Sequence, residues 1–183
     1  MKFVAGVITL GELEGVTKEQ QYEMAKLGHR FIRSGKLKEA KAVFEGLVAL
    51  DPHDAYFHLA LGSIAQRDDD LEAAEERYTR ALEINPYSPH ALANRGEVRM
   101  MQGHMLDGAK DLLKALEEDP DCREEATKRA RATIGVVLQQ LEEAGVAVGE
   151  KKKPGPTKKA GVAAPPGMKP RAKPTPRPKP RPK

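Results

Sequence analysis

The chain holds one cysteine, Cys122, and no tryptophan, and aromatics make up only 4% of its 183 residues. A single thiol excludes a disulfide scaffold and any multi-cysteine zinc site. No apolar run approaches the roughly 18 residues of a membrane-spanning helix, so no integral span is expected. The apolar stretch from Phe3 to Leu10 is broken by Gly6 and Thr9. It lacks a signal-peptide cleavage pattern, which reads as a cytoplasmic protein. Catalytic signatures are missing too: there is no P-loop, no G-x-G-x-x-G and no H-E-x-x-H. The five histidines, His29, His53, His58, His90 and His104, form no i, i+4 pair and read as scattered surface or groove residues. No base accompanies Cys122, which reads as a bystander in a turn. Asp68-Asp69-Asp70 lacks the glycine and the distal glutamate of a calcium loop and reads as a turn with a helix cap. These absences predict a non-enzymatic protein with no cofactor and no metal.

What is present is divided in two. Residues 146–183 hold twelve Lys and Arg against one acid, Glu150, and ten of the fourteen prolines. That stretch carries +11, so residues 1–145 carry −7 to make the +4 of the whole. The apolar fraction of 39% is enough for a core in the acidic part.

The acidic part repeats itself. Pro52, Pro86 and Pro120 are 34 residues apart, each after a small polar residue, Asp51, Asn85 and Asp119. Gly28, Gly62 and Gly96 share the spacing, as do Leu37, Leu71 and Met105, and Phe44, Tyr78 and Leu112. Each unit predicts two amphipathic helices. In the first, Met24, Leu27 and Phe31 recur at helical spacing, Ser34-Gly35 interrupts, and Leu37, Ala40, Phe44, Leu47 and Val48 resume. Proline disfavours helix at the residue before it and sets the stop. Thr17 with Gln20, Asp69 with Glu72 and Asp121 with Glu124 fit capping boxes, and Ser88-Pro89 fits an N-cap followed by proline at the first helical position. A glycine inside a helix costs about 1 kcal/mol relative to alanine. Three in register predict close backbone contact between the paired helices.

This pattern resembles the tetratricopeptide repeat, with units at residues 21–54, 55–88 and 89–122. The family's small residues match Gly28, Gly62 and Gly96, then Ala40, Ala74 and Gly108. Its later aromatic matches Phe44 and Tyr78 but is Leu112 in the third unit, the loosest of the three. A stripe of Ala126, Ala130, Ile134, Val137, Leu138 and Leu141 predicts a capping helix over residues 122–144, which a solenoid needs to cover its last open face. The fold class is therefore an all-α helical-hairpin solenoid over residues 17–145. Residues 1–16 leave three readings open: a short helix on the first repeat, a homodimer contact, or disorder.

The resemblance places a concave groove on the first helices. Its positions hold Tyr22, Ala25, His29, Ile32 and Arg33, then Tyr56, Leu59, Ser63, Gln66 and Arg67, then His90, Ala93, Glu97, Met100 and Met101. Tyrosine and methionine offer adaptable contact area, and the Arg, Gln and Ser side chains suit backbone or acidic groups. Ile32, Leu59 and Ala93 divide evenly between groove and core. Tyr22, Tyr56 and His90 share one register and point to the groove. The clamp with which some relatives hold an acidic chaperone C-terminus is not matched: Ala25, His29, Ala60, His90 and Asn94 supply no fixed cation.

A narrower resemblance runs from Leu50 to Gly62 (LDPHDAYFHLALG) and over Gly35-Lys36-Leu37-Lys38-Glu39-Ala40. Both are similar to the class II chaperones of type III secretion translocators. That likeness implies a bacterial cytoplasmic protein holding an extended translocator segment in its groove, with dimerisation through N-terminal segments. A general assembly scaffold is the alternative.

The Lys/Arg/Pro-rich segment 146–183 cannot form a core, because proline removes donors and like charges repel. A disordered tether is expected, reaching on the order of 100 Å at ~3.1 Å per residue if fully extended. Its charge suits weak binding to nucleic acid or anionic lipid, the last alternative for function. It has no aromatic for base stacking.

Overall fold

The structure, a computed structural model, describes residues 9–143. The expectations for residues 1–8 and for the basic segment 146–183 lie outside the described residues. Eight helices and no strand occur among the described residues: α1 (Leu10–Leu13), α2 (Lys18–Arg33), α3 (Leu37–Leu50), α4 (Ala55–Arg67), α5 (Leu71–Ile84), α6 (Pro89–Met101), α7 (Met105–Glu118) and α8 (Glu125–Glu143). They pair as α2–α3, α4–α5 and α6–α7, each pair packing on the next, and α8 lies against α6 and α7.

The recurring glycines explain the pairing. A Cβ on Gly28 would stand 2.6 Å from the Phe44 ring, and one on Gly62 2.6 Å from the Tyr78 ring. In the third pair the close approach is between backbones. Leu112 replaces the ring, and Gly96 and Gly108 face each other's backbone, a Gly108 Cβ meeting the Gly96 carbonyl at 2.7 Å. Phe44, Tyr78 and Leu112 are fully buried, as are Ala40 and Ala74, so each glycine makes room for a core residue of the partner helix.

Turns inside the pairs obey the same period. Gly35, Asp69 and Gly103 occupy the left-handed region, with φ of 73°, 63° and 88°. Asp69 is the one of the three with a side chain, and aspartate tolerates this region better than most residues. That geometry corrects one expected cap. The helix starts after Asp70, whose side chain accepts from Ala73 N–H at 3.1 Å, not after Asp69 with Glu72. Thr17 with Gln20 and Ser88 with Pro89 cap as expected.

The start of α8 needs a second correction. The box Asp121–Glu124 does not form. Instead Asp119, 8% exposed, accepts from Arg123 N–H at 3.1 Å, Glu124 N–H at 3.0 Å and the Thr127 hydroxyl at 2.5 Å. Cys122 lies buried in this turn at φ 48°. The three donors, Thr127 first, hold the Asp119 carboxyl down to about 2, well below its ordinary value. A depressed carboxylate stabilises the fold above the unfolded-state value of about 4, and the contribution disappears as pH falls through about 2. The Tm gap between the wild type and Asp119→Asn, followed by circular dichroism, should be widest above pH 4 and close toward pH 2. A gap independent of pH would overturn this assignment.

Residues 9–16 resolve part of the N-terminal question. Thr9 and Glu12 form a capping box, and α1 packs on α3 with Gly11 buried against Leu50 and Gln21. The α2 stripe is corrected as well. Ala25, Gly28 and Ile32 are buried, whereas Met24 and Leu27 are exposed. A charged network ties α5, α6 and α7: Asp111 accepts from Arg95 at 2.7 and 2.9 Å and from Arg99 at 2.9 Å, and Arg99 also donates to Glu75 at 2.6 Å.

Candidate functional site

Tyr22, Tyr56 and His90 share a register on α2, α4 and α6, the helices that carry the expected groove. At its first end is an aromatic cluster. The Tyr22 and Tyr56 rings lie 5.9 Å apart, and Phe57 sits 5.8 Å from Tyr22 and 6.0 Å from Tyr56. His29 stands edge-on to Phe44 at 5.3 Å and shares a 2.5 Å hydrogen bond between its Nε2 and the Tyr56 hydroxyl. The Tyr22 hydroxyl donates to Asp54 at 2.8 Å. Asp54 also caps α4 and lies 3.5 Å from the Lys18 ammonium. These polar tethers hold two tyrosines that remain 42% and 37% exposed. Such rings offer apolar area at little entropic cost, because they are already ordered.

Electrostatics follow from that packing. Burial, with the Arg33 charge second, holds the His29 imidazole below its ordinary value. The hydrogen bond to Asp54 and then burial raise the Tyr22 phenol, while burial and then Asp54 raise Tyr56. Each of these shifts favours the uncharged form of the His29, Tyr22 and Tyr56 side chains.

The middle of the face is a hollow of about 510 Å³ lined by Ser63, Gln66 and Arg67 of α4, His90, Asn94 and Glu97 of α6, and Arg129 of α8. Arg129 donates to Glu97 at 3.0 and 3.3 Å and to Asn94 at 3.0 Å. The far end holds Met100 and Met101 beside Ala132 and Thr133 of α8.

The structure brings Tyr22, His29 and Tyr56 into one cluster and Ser63, Gln66, Arg67, His90, Glu97 and Met101 around one hollow. Arg33 lies near the His29 ring at the edge of the cluster. Other expected positions face differently. Ala25, Ile32 and Ala93 are core. Leu59 is partly buried and packs against two core clusters, and Met100 is divided between core and far end. Gln66 is partly engaged, since its carbonyl accepts the Tyr78 hydroxyl at 2.8 Å. The α8 residues Arg129, Ala132 and Thr133 were not expected on this face. Their sequence signal was the stripe itself: the flank of a capping helix continues the face of the first helices.

A second hollow of about 730 Å³ opens beside α5, lined by Glu72, Glu75, Glu76, Arg80, Glu83 and Arg99 among others. Two ion pairs lie along it, Arg99–Glu75 and Arg80–Glu83, both at 2.6 Å. The aromatic face differs in leaving two ordered tyrosine rings exposed.

Among the described residues no helix is long and apolar enough to cross a membrane. Comparison with known proteins agrees with the architecture. A protein from Oryza sativa subsp. japonica, the Protein SGT1 homolog, is 30% identical over 82 residues, covering 45% of this chain but 22% of that protein. The chain thus spans less than a quarter of that relative. Low calcium response locus protein H of Yersinia pseudotuberculosis is 26% identical over 137 residues, covering 73% and 80% of the two chains. Among solved structures, a type III secretion complex from Aeromonas hydrophila superposes with a TM-score of 0.68 at 23% identity, over 76% of this chain and 95% of that one. The Yersinia enterocolitica type III secretion chaperone SycD, in complex with a peptide of the translocator YopD, gives 0.60 at 20% identity, over 71% and 98%. The tetratricopeptide repeat model matches residues 25–89 and 67–122, more than half of the chain. Paired helices on a 34-residue period, the glycine-to-core contacts and this match together show that the chain belongs to the tetratricopeptide repeat family.

Proposed function

We propose that this protein is a non-enzymatic chaperone of the type III secretion translocator kind, which holds an extended segment of a client on the face shared by α2, α4, α6 and α8. The observation that carries this reading is the Tyr22–Tyr56–Phe57 cluster. Its two tyrosines are pre-ordered by hydrogen bonds yet leave their rings open. The relative seen with a YopD peptide and the similarity to Low calcium response locus protein H over most of its length support the client class. The reading extends to self-association, since Met24 and Leu27 are exposed on α2.

The test is capture. Full-length protein immobilised in lysate of its source cells should retain one client in a one-to-one complex, identified by mass spectrometry. A truncated interfacial aromatic commonly costs about 2 kcal/mol, which is roughly a thirtyfold loss. Tyr22→Ala with Tyr56→Ala should therefore weaken the captured client at least thirtyfold in a titration. Equal affinity would show that the client binds elsewhere.

A further inference from the structure

The groove carries a charge preference of its own. The body is acidic, with −7 over residues 1–145, yet two arginines on the groove helices are in no ion pair among the described residues. Arg33 and Arg67 occupy one register, 34 residues apart, in the last turns of α2 and α4. Both are exposed, and among the described residues neither is within 4.0 Å of a carboxylate. Of the nearby acids, Asp54 is engaged with Tyr22 and Lys18, Glu97 with Arg129, Glu125 with Lys128 and Asp70 with the start of α5, while Asp68 and Asp69, which follow Arg67 in the chain, form no ion pair with it. Arg67 lines the central hollow, and Arg33 lies one turn beyond His29.

We propose that Arg33 and Arg67 form a cationic lip along the groove and select a client segment whose apolar anchor is accompanied by acidic side chains. This rests on the groove reading above and adds the chemistry of its ligand. Neighbouring helices stack about 10 Å apart. An extended chain advances about 3.3 Å per residue, so two carboxylates facing the lip stand about two to four residues apart. Arginine suits the task, because its planar fork meets a carboxylate through two parallel hydrogen bonds. A role confined to the helix ends would leave binding untouched.

The experiment pans a random twelve-residue peptide library on the full-length wild type and, in parallel, on the full-length Arg33→Gln/Arg67→Gln variant, with thermal melts confirming that both are folded. Both proteins carry the same basic segment 146–183, so acidic enrichment caused by that segment appears in both and cancels. Peptides selected on the wild type should combine aromatic or aliphatic residues with Asp or Glu two to four apart. Those selected on the variant should keep the apolar residues and lose the acidic excess. Changing the acids of a wild-type peptide to their amides should weaken it about three- to twentyfold on the wild type, as expected for two exposed ion pairs, and leave it unchanged on the variant. Equal acidic content in both selections, or equal affinity of the amide peptide for the wild type, overturns the lip. The groove reading fails separately, and the lip with it, when the selected peptides ignore Tyr22→Ala/Tyr56→Ala.

Discussion

Gly62→Ala should lower the stability of the fold, whereas Gly46→Ala should raise it. Both glycines lie inside helices, where alanine is intrinsically better by about 1 kcal/mol. At Gly46 a new methyl group meets nothing within 4 Å, so the gain is realised and stability rises by about 0.5–1 kcal/mol. At Gly62 the same methyl group lands 2.6 Å from Cδ1 and Cε1 of Tyr78. That ring is fully buried and its hydroxyl is held by Gln66 at 2.8 Å, so it has no free direction in which to move. Overpacking of this kind costs about 1–3 kcal/mol for small additions and more for larger ones. Gly62→Ala is expected to lose about 1–2 kcal/mol net, and Gly62→Leu more than about 3 kcal/mol. Urea unfolding of the three variants against the wild type checks this. A gain at Gly62 equal to that at Gly46 would mean that α4 and α5 do not pack as closely as described, and would remove the reason for the recurring glycine.

The second large effect falls on Asp111. Its carboxylate, 7% exposed, is shared by Arg95 and Arg99 and joins α7 to α6, while Arg99 reaches α5 through Glu75. Removing one partner of a fully buried ion pair costs about 3–5 kcal/mol, because the other charge stays desolvated. The arginine side chains here are 15% and 22% exposed, so water relieves part of that penalty and about 2–4 kcal/mol is expected for Asp111→Ala. Arg95 would keep only the Thr79 hydroxyl at 3.3 Å, whereas Arg99 would retain Glu75. The loss should therefore be shared mainly with Arg95. In a double-mutant cycle, Asp111→Ala with Arg95→Ala should cost less than the sum of the single changes by more than about 1 kcal/mol. Additivity would show the pair to be energetically idle. Hydrogen exchange should then quicken first in α7 and α8, which this network anchors to the rest.

Both results bear on the proposed function. A solenoid face is a product of how repeats stack, and each helix pair contributes only part of the groove. Loosening α7 would shift α8 and with it Arg129, so Asp111→Ala should weaken a client without touching it. Gly46→Ala should leave binding intact.

The amino-acid order by itself determined the repeat. Four kinds of position on one 34-residue period specify which residues face the partner helix, because helical periodicity is a local property. It specified the caps at Thr17 and Ser88 for the same reason. Register alone put Tyr22, Tyr56 and His90 on one face, while His29 joined them through the resemblance to the repeat family. Tertiary structure decided what periodicity leaves open. Ala25, Ile32 and Ala93 are core because the neighbouring repeat overlaps them, and the extent of overlap depends on packing between units, not on spacing within one. Arg129 reaches Glu97 and Asn94 only once α8 is laid across α6. Asp70 and Asp119 replaced the expected caps because backbone turns, one left-handed at Asp69, chose among adjacent carboxylates that are equivalent as letters. Spacing thus places a residue on a face, and the meeting of faces decides whether that residue is buried, paired or left open to a ligand.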